Sequence, residues 1–189
     1  MMYCFLVLAL SVDTFIASLS YESDKIKIPI SSNLIISFIC SISLVISLCL
    51  GNLININIKW ISFFLLFTIG IIKIFNGFIK DIINKKFLFT FKNISFFIEI
   101  YGDYKKADFD KSKILSKKEA IFLGLALSID SLASGLAFQA NVLILILVFL
   151  LSMLINFLSI LLAKMIKKIN FNISFLGGII FIILAILKT

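Results

Sequence analysis

The sequence predicts an all-α, polytopic membrane protein with six transmembrane helices arranged as two inverted three-helix repeats. Three observations lead there. Of the 189 residues, 61% are hydrophobic, whereas a soluble domain carries roughly 45–50% apolar residues; the mean hydropathy is +1.17. Charge is segregated as well: charged residues make up 15% of the chain and cluster between residues 80 and 119, leaving long uncharged runs of the kind that cross bilayers. Finally, a motif built around one aspartate inside an apolar run occurs twice at constant spacing.

The apolar runs cover residues 3–20, 33–52, 60–79, 119–138, 142–163 and 172–188. At ~1.5 Å per residue each can cross a ~30 Å hydrocarbon core as a helix. Polar breaks separate them at Glu22–Lys27, Asn52–Lys59, Lys80–Lys118, Gln139–Asn141 and Lys164–Asn170. Pro29 lies just before the second run, where its missing N–H is tolerated. The chain thus divides into a first three-helix repeat at 1–79, a basic loop at 80–118 and a second repeat at 119–189.

Lysine placement sets the expected orientation. Loops one, three and five hold Lys25 and Lys27, ten lysines between Lys80 and Lys118, and Lys164, Lys167 and Lys168. The other side holds Lys59 and Lys188, while Lys73 falls inside the third run and reads as a snorkelling residue. Cytoplasmic loops collect lysine, so the long loop is expected in the cytoplasm and both termini outside. Trp60 then lies at the outer interface, a usual place for an aromatic anchor. The expected setting is a bacterial cytoplasmic membrane, with the lipid bilayer as partner.

Residues 8–21 read LALSVDTFIASLSY and residues 125–138 read LALSIDSLASGLAF. Offset by 117, Leu8, Ala9, Leu10, Ser11, Asp13 and Leu19 recur identically, and Thr14 becomes Ser131. Each half holds three spans, and an odd number inverts the second copy. That is the plan of many secondary transporters, whose sites lie near mid-membrane at the repeat interface. Asp13 and Asp130 each lie about ten residues into a span, or roughly 15 Å deep. An aspartate there is unfavourable by ~2.5–3.5 kcal/mol on insertion scales, so two of them require a partner or a function. The structural alternative is a pair of hydrogen bonders holding the bundle together.

Ala9, Asp13 and Ala17 are spaced by four, as are Ala126, Asp130 and Ser134. Small residues allow close helix approach in lipid, so the two stripes are expected to face each other. Two carboxylates in a dry site need protons or a cation between them, and oxygen ligands favour a hard ion such as Mn²⁺, Mg²⁺ or Ca²⁺. Ser11, Thr14, Ser128 and Ser131 offer hydroxyls, and Asn156 in the fifth span a carbonyl. For these five, ordinary interhelical hydrogen bonding is the preferred alternative.

Other classes are excluded or disfavoured. The net charge of +8 reads as a cytoplasmic membrane face rather than a nucleic-acid surface. There is no histidine, and Cys4, Cys40 and Cys49 sit in apolar runs without C-x-x-C spacing, so they read as packing residues. The first run has no basic n-region and contains Asp13, unlike a removable signal peptide. No phosphate-binding G-x-x-x-x-G-K-[ST] occurs. The expectation is therefore no enzyme and no resident cofactor, the cation being cargo. Nothing in the residues sets an oligomeric state.

Ser-Val-Asp13-Thr-Phe and Ser-Ile-Asp130-Ser-Leu, on spans one and four of a six-span chain, resemble the MntP-type manganese efflux family. Within it the chain is most similar to the branch called sporulation membrane protein YtaF. The resemblance implies Mn²⁺ export, with the two aspartates as the essential intramembrane groups. The family is often glycine-rich after the first aspartate, where this chain has Ser20 and Glu22. The alternatives are a sporulation-associated membrane protein that transports nothing, and an exporter of a small organic solute.

The basic loop closes with Asp108-Phe-Asp110-Lys-Ser112-Lys-Ile-Leu-Ser116-Lys-Lys-Glu119. Carboxylates at positions 1, 3 and 12 and serines at 5 and 9 follow EF-hand spacing, and the YtaF branch resembles this too. Lys113 stands at position 6, where an EF-hand has glycine. The favoured reading is that Ser116 and Glu119 form a capping box for the fourth span. A degenerate cytosolic metal site at Asp108, Asp110, Ser112 and Glu119 is the alternative.

Overall fold

The computed structural model of the chain describes residues 2–53 and 104–165, with single positions at 64, 67, 68, 71, 182, 183 and 186. Four long helices form its body: α1 (Met2–Ser23), α2 (Ile30–Leu53), α3 (Lys117–Gly135) and α4 (Val142–Met165). A 3₁₀ turn, Tyr104–Ala107, precedes α3. Three helices are long and apolar enough to cross a membrane, over Met2–Glu22, Ile30–Asn52 and Val142–Met165. These features describe an all-helical, membrane-embedded chain. The expected third and sixth spans lie outside the described residues, apart from helical positions such as Phe64, Phe67, Thr68 and Ile71.

The helix ends follow from local chemistry. The N–H of Ile26 bonds the carbonyl of Tyr21 at 2.9 Å and that of Lys25 bonds Glu22 at 3.0 Å, with Lys25 left-handed at φ 60°. This is a Schellman C-terminus with lysine where glycine is usual. A left-handed L-residue is strained by about 1–2 kcal/mol, so Lys25→Gly is expected to raise the melting temperature of the detergent-solubilised protein. A fall would mean that the lysine head group contributes more than the strain. At the start of α2, the carbonyl of Pro29 accepts from the N–H of Asn33 at 2.9 Å. The Ser116 hydroxyl accepts from Glu119 N, and the Glu119 carboxylate accepts from Ser116 N, so α3 opens with a complete capping box.

α3 ends three residues before its apolar run does. The chain turns at Leu136 and Ala137, with Phe138 N bonding Gly135 O at 3.0 Å. Close packing on α2 favours the early stop: a Cβ on Gly135 would lie 2.7 Å from Ser47 Cβ, and the Ser47 hydroxyl bonds the Leu132 carbonyl. Hydropathy reports burial or lipid contact and is blind to such a turn.

Hydrogen bonds at the helix ends give the directions. Lys27 in the α1–α2 loop exchanges backbone bonds with Lys113 and Leu115, each 2.9 Å, just before α3. At the opposite end the Tyr3 hydroxyl bonds Gln139 O beyond α3, so α1 and α3 are antiparallel. Ser32 bonds Leu115 O at 2.7 Å near both starts, and Asn52 and Ala140 exchange bonds of 2.7 and 2.9 Å near both ends, so α2 runs with α3. Lys164 Nζ bonds Ile28 O at 2.7 Å, which sets α4 against α2. The main packing is α2 on α3, α1 on α4 and α2 on α4, with only light contact between α1 and α3. Every lysine of the two long described stretches lies at one end of this bundle.

The residue partition is inverted relative to a soluble bundle. Ser32, Asn33, Ser37, Ser41, Ser47 and Asn156 are buried, while Leu143, Leu147, Leu150, Leu154 and Leu158 form an exposed stripe along α4. Water would oppose that arrangement, whereas lipid favours apolar exteriors with interior polar groups bonding across helices.

Candidate intramembrane cation site

Asp13 lies midway along α1, ten residues before Ser23, and Asp130 lies thirteen residues after Lys117 in α3. At ~1.5 Å per residue these positions are ~15 and ~20 Å from the lysine-rich end. Each aspartate is 8% exposed. The 117-residue repeat extends to its surroundings: Leu6/Leu123, Ala9/Ala126, Leu10/Leu127, Thr14/Ser131 and Tyr21/Phe138 are buried pairs, while Leu8 and Leu125 both face outward. Ser11 donates to Leu8 O and Ser128 to Leu125 O, both at 2.8 Å. Two helices with the same period and opposite direction therefore present equivalent faces inward.

Those faces meet through an intermediary rather than a continuous seam. The inner members of the two small-residue stripes, Ala17 and Ala126, share one buried cluster with Cys40, Leu123 and Leu127. Cys40 on α2 contacts Gly124 O through its sulfur at 3.8 Å. Ala9, by contrast, packs into a second cluster with Leu44, Leu48 and Val148. The inner ends of the stripes thus share one cluster with α2, while direct contact between α1 and α3 is light.

The polar shell is interhelical. Thr14 donates to Asn156 Oδ1 at 2.8 Å, and Asn156 Nδ2 donates to Ser152 at 3.2 Å. Asn156 therefore already accepts a hydrogen bond through its carbonyl. Ser131 is buried, and Ser134 donates to Asp130 O at 2.7 Å. A further ladder on α2, absent from the sequence reading, runs through Asn33, Ser37 and Ser41. Ser37 bonds Asn33 at 3.3 Å, Ser41 bonds Ser152 at 3.2 Å, and Asn33 bonds Phe157 O at 3.3 Å. Its signal was the four-residue recurrence of Asn33, Ser37 and Ser41 in an apolar run.

At the lysine-rich end, Asp108, Asp110 and Glu119 each present a carboxylate oxygen within 4.8 Å of the others. Ser112 donates to Ile114 O at 3.0 Å, and its N–H bonds Asp110 Oδ1 at 2.9 Å. Burial raises the Asp108 carboxyl above its ordinary range; the Lys113 N–H opposes this, and Asp110 and Glu119 add to the rise. Asp110 is held low, first by the Ser112 N–H. An acid raised by folding binds more protons folded than unfolded, so its contribution to stability declines as pH rises through that window. Asp108→Asn is accordingly expected to raise the melting temperature near neutral pH without divalent ions, and to leave it unchanged below the ordinary carboxylate range. An equal shift at both pH values would show that charge is not the cause.

Among known proteins, the chain is 29% identical over 149 residues to the "Probable sporulation protein YtaF" of Bacillus subtilis (strain 168), covering 69% of this chain and 68% of that protein. No protein-family model matches the chain, and no solved structure matches it.

Proposed function

We propose that the chain is a secondary exporter of hard divalent cations, Mn²⁺ foremost, working through Asp13 and Asp130. The observation that carries this reading is two equally buried aspartates on antiparallel, sequence-repeated helices. Two ionised carboxylates in a low-dielectric interior repel until a cation or protons join them, and carboxylate oxygens suit a hard divalent ion. Alternate protonation of the pair supplies a means of releasing the metal.

The fold is six spans in two inverted repeats. Exchanging the halves interchanges the α1–α4 and α2–α3 pairings, and α1 and α4 run opposite to α2 and α3, which supports inversion. The lysine-rich end faces the cytoplasm and both termini lie outside the bacterial cytoplasmic membrane, following the lysine bias. Cysteines introduced near Lys111 are expected to resist impermeant reagents in intact cells and to react after permeabilisation; labelling in intact cells would reverse the orientation.

The decisive measurement is manganese sensitivity and cell manganese content with and without the chain. Loss of the chain should raise both. The second reading, a sporulation role without transport, draws on the relative's name; it predicts unchanged manganese content with impaired spore formation.

A further inference from the structure

We infer that the loop Asp108–Glu119 is a binding site for one hard divalent cation, Ca²⁺ by its EF-hand order of ligands, separate from the intramembrane aspartates. Three carboxylate oxygens, one each from Asp108, Asp110 and Glu119, lie within 4.8 Å of one another. Calcium–oxygen bonds of ~2.3–2.6 Å let three oxygens this close bind one ion, and the carboxylates stand at positions 1, 3 and 12, the order of a calcium-binding EF-hand loop.

An acidic cluster alone would signify little, but one of its members is buried without a partner. Asp108 is only 9% exposed, and its Oδ1 has no hydrogen-bond partner among the described residues. Its other oxygen accepts from Lys113 N at 3.3 Å. A buried, unpartnered carboxylate oxygen is unfavourable, and two further carboxylates beside it add repulsion. A divalent cation removes both penalties at once.

Backbone hydrogen bonds brace this arrangement. Glu119 is 4% exposed and accepts from Phe109 N at 2.8 Å as well as from Ser116 N at 2.8 Å, tying the first and last carboxylates of the loop together. Lys113 is left-handed at φ 61°, the backbone turn that glycine supplies at position 6 of an EF-hand loop. The N–H of Leu115 and the carbonyl of Lys113 pair with Lys27, so the loop is braced against the α1–α2 connection. The capping box and a metal site are compatible: Glu119 serves the helix through Oε2, which accepts one hydrogen bond and keeps acceptor capacity.

The test is equilibrium dialysis of radioactive Ca²⁺ against the full-length detergent-solubilised protein carrying Asp13→Asn and Asp130→Asn, so that the intramembrane pair cannot respond. One saturable Ca²⁺ per chain is expected, persisting in excess Mg²⁺. Ligand charge tunes such sites, so Asp108→Asn and Asp110→Asn should each weaken binding at least ~10-fold. Asp110 is exposed, and its substitution spares the fold; Lys113→Gly, which removes a positive charge and the strained turn, should tighten binding. Absence of saturable Ca²⁺ binding, displacement by Mg²⁺, or binding unaffected by Asp110→Asn would overturn the inference. None of these outcomes bears on manganese export, which is measured separately in the chain with Asp13 and Asp130 intact.

Discussion

Asp13→Asn or Asp130→Asn is expected to abolish Mn²⁺ export while the protein remains folded in the membrane. Asparagine keeps the shape and one carbonyl oxygen but removes the charge that balances a divalent ion. Losing a mere second-sphere contact weakens metal sites about 10–100-fold, so losing a direct anionic ligand should exceed ~100-fold. Both positions are buried alike and should fail alike, even though they lie 117 residues apart in sequence. Uptake of radioactive manganese into inverted vesicles measures this directly. Normal uptake by either variant, with protein levels matched by immunoblot, would refute a shared cation site. A structural role for the pair predicts loss of the protein from the membrane instead.

Glu119→Ala should release the cytoplasmic loop and destabilise the start of α3. The carboxylate accepts two 2.8 Å bonds from Phe109 N and Ser116 N, and a longer one of 3.5 Å from Asp110 N. Hydrogen bonds to a charged group contribute ~1.5–3 kcal/mol each, so the two short ones together hold ~3–6 kcal/mol. The Phe109 ring, packed edge-on against Phe122 with centroids 5.6 Å apart, retains part of the contact. Trypsin should then cut at Lys111 and Lys113 much faster than in the parent, where the loop is pinned at both ends. Glu119→Gln keeps one acceptor oxygen and should fall between the two. If Glu119→Ala resists trypsin as the parent does, the loop is held by its apolar contacts and the carboxylate latch is unnecessary.

Much of the architecture is local enough to be read from the chain. Long uncharged runs bounded by lysine can satisfy their backbone in lipid only as helices, which is why the boundaries of α1, α2 and α4 nearly coincide with the apolar runs. Ser116 and Glu119 lie three residues apart, so their reciprocal cap depends on helix geometry alone and was legible too. The repeat around Asp13 and Asp130 is legible in the chain as well, because an aspartate in an apolar run demands explanation wherever it points.

What only the tertiary structure decided is what those groups meet. Cys40 reads as a packing residue, and its contact with the Gly124 carbonyl, in a cluster shared with Ala17 and Ala126, depends on how α2 seats against α3. Gly51 and Gly135 are unremarkable in sequence. A Cβ on Gly51 would nevertheless lie 2.5 Å from Phe138 O, so backbone contact at that end of α2 excludes any side chain. The same holds at the loop: spacing named Asp108, Asp110 and Glu119, but whether they converge depended on Lys113 adopting the left-handed turn without glycine. Sequence periodicity specifies which face of a helix a residue occupies, and hydropathy whether that face avoids water. Neither carries the identity of the neighbour, which is set by interhelical packing among residues far apart in the chain.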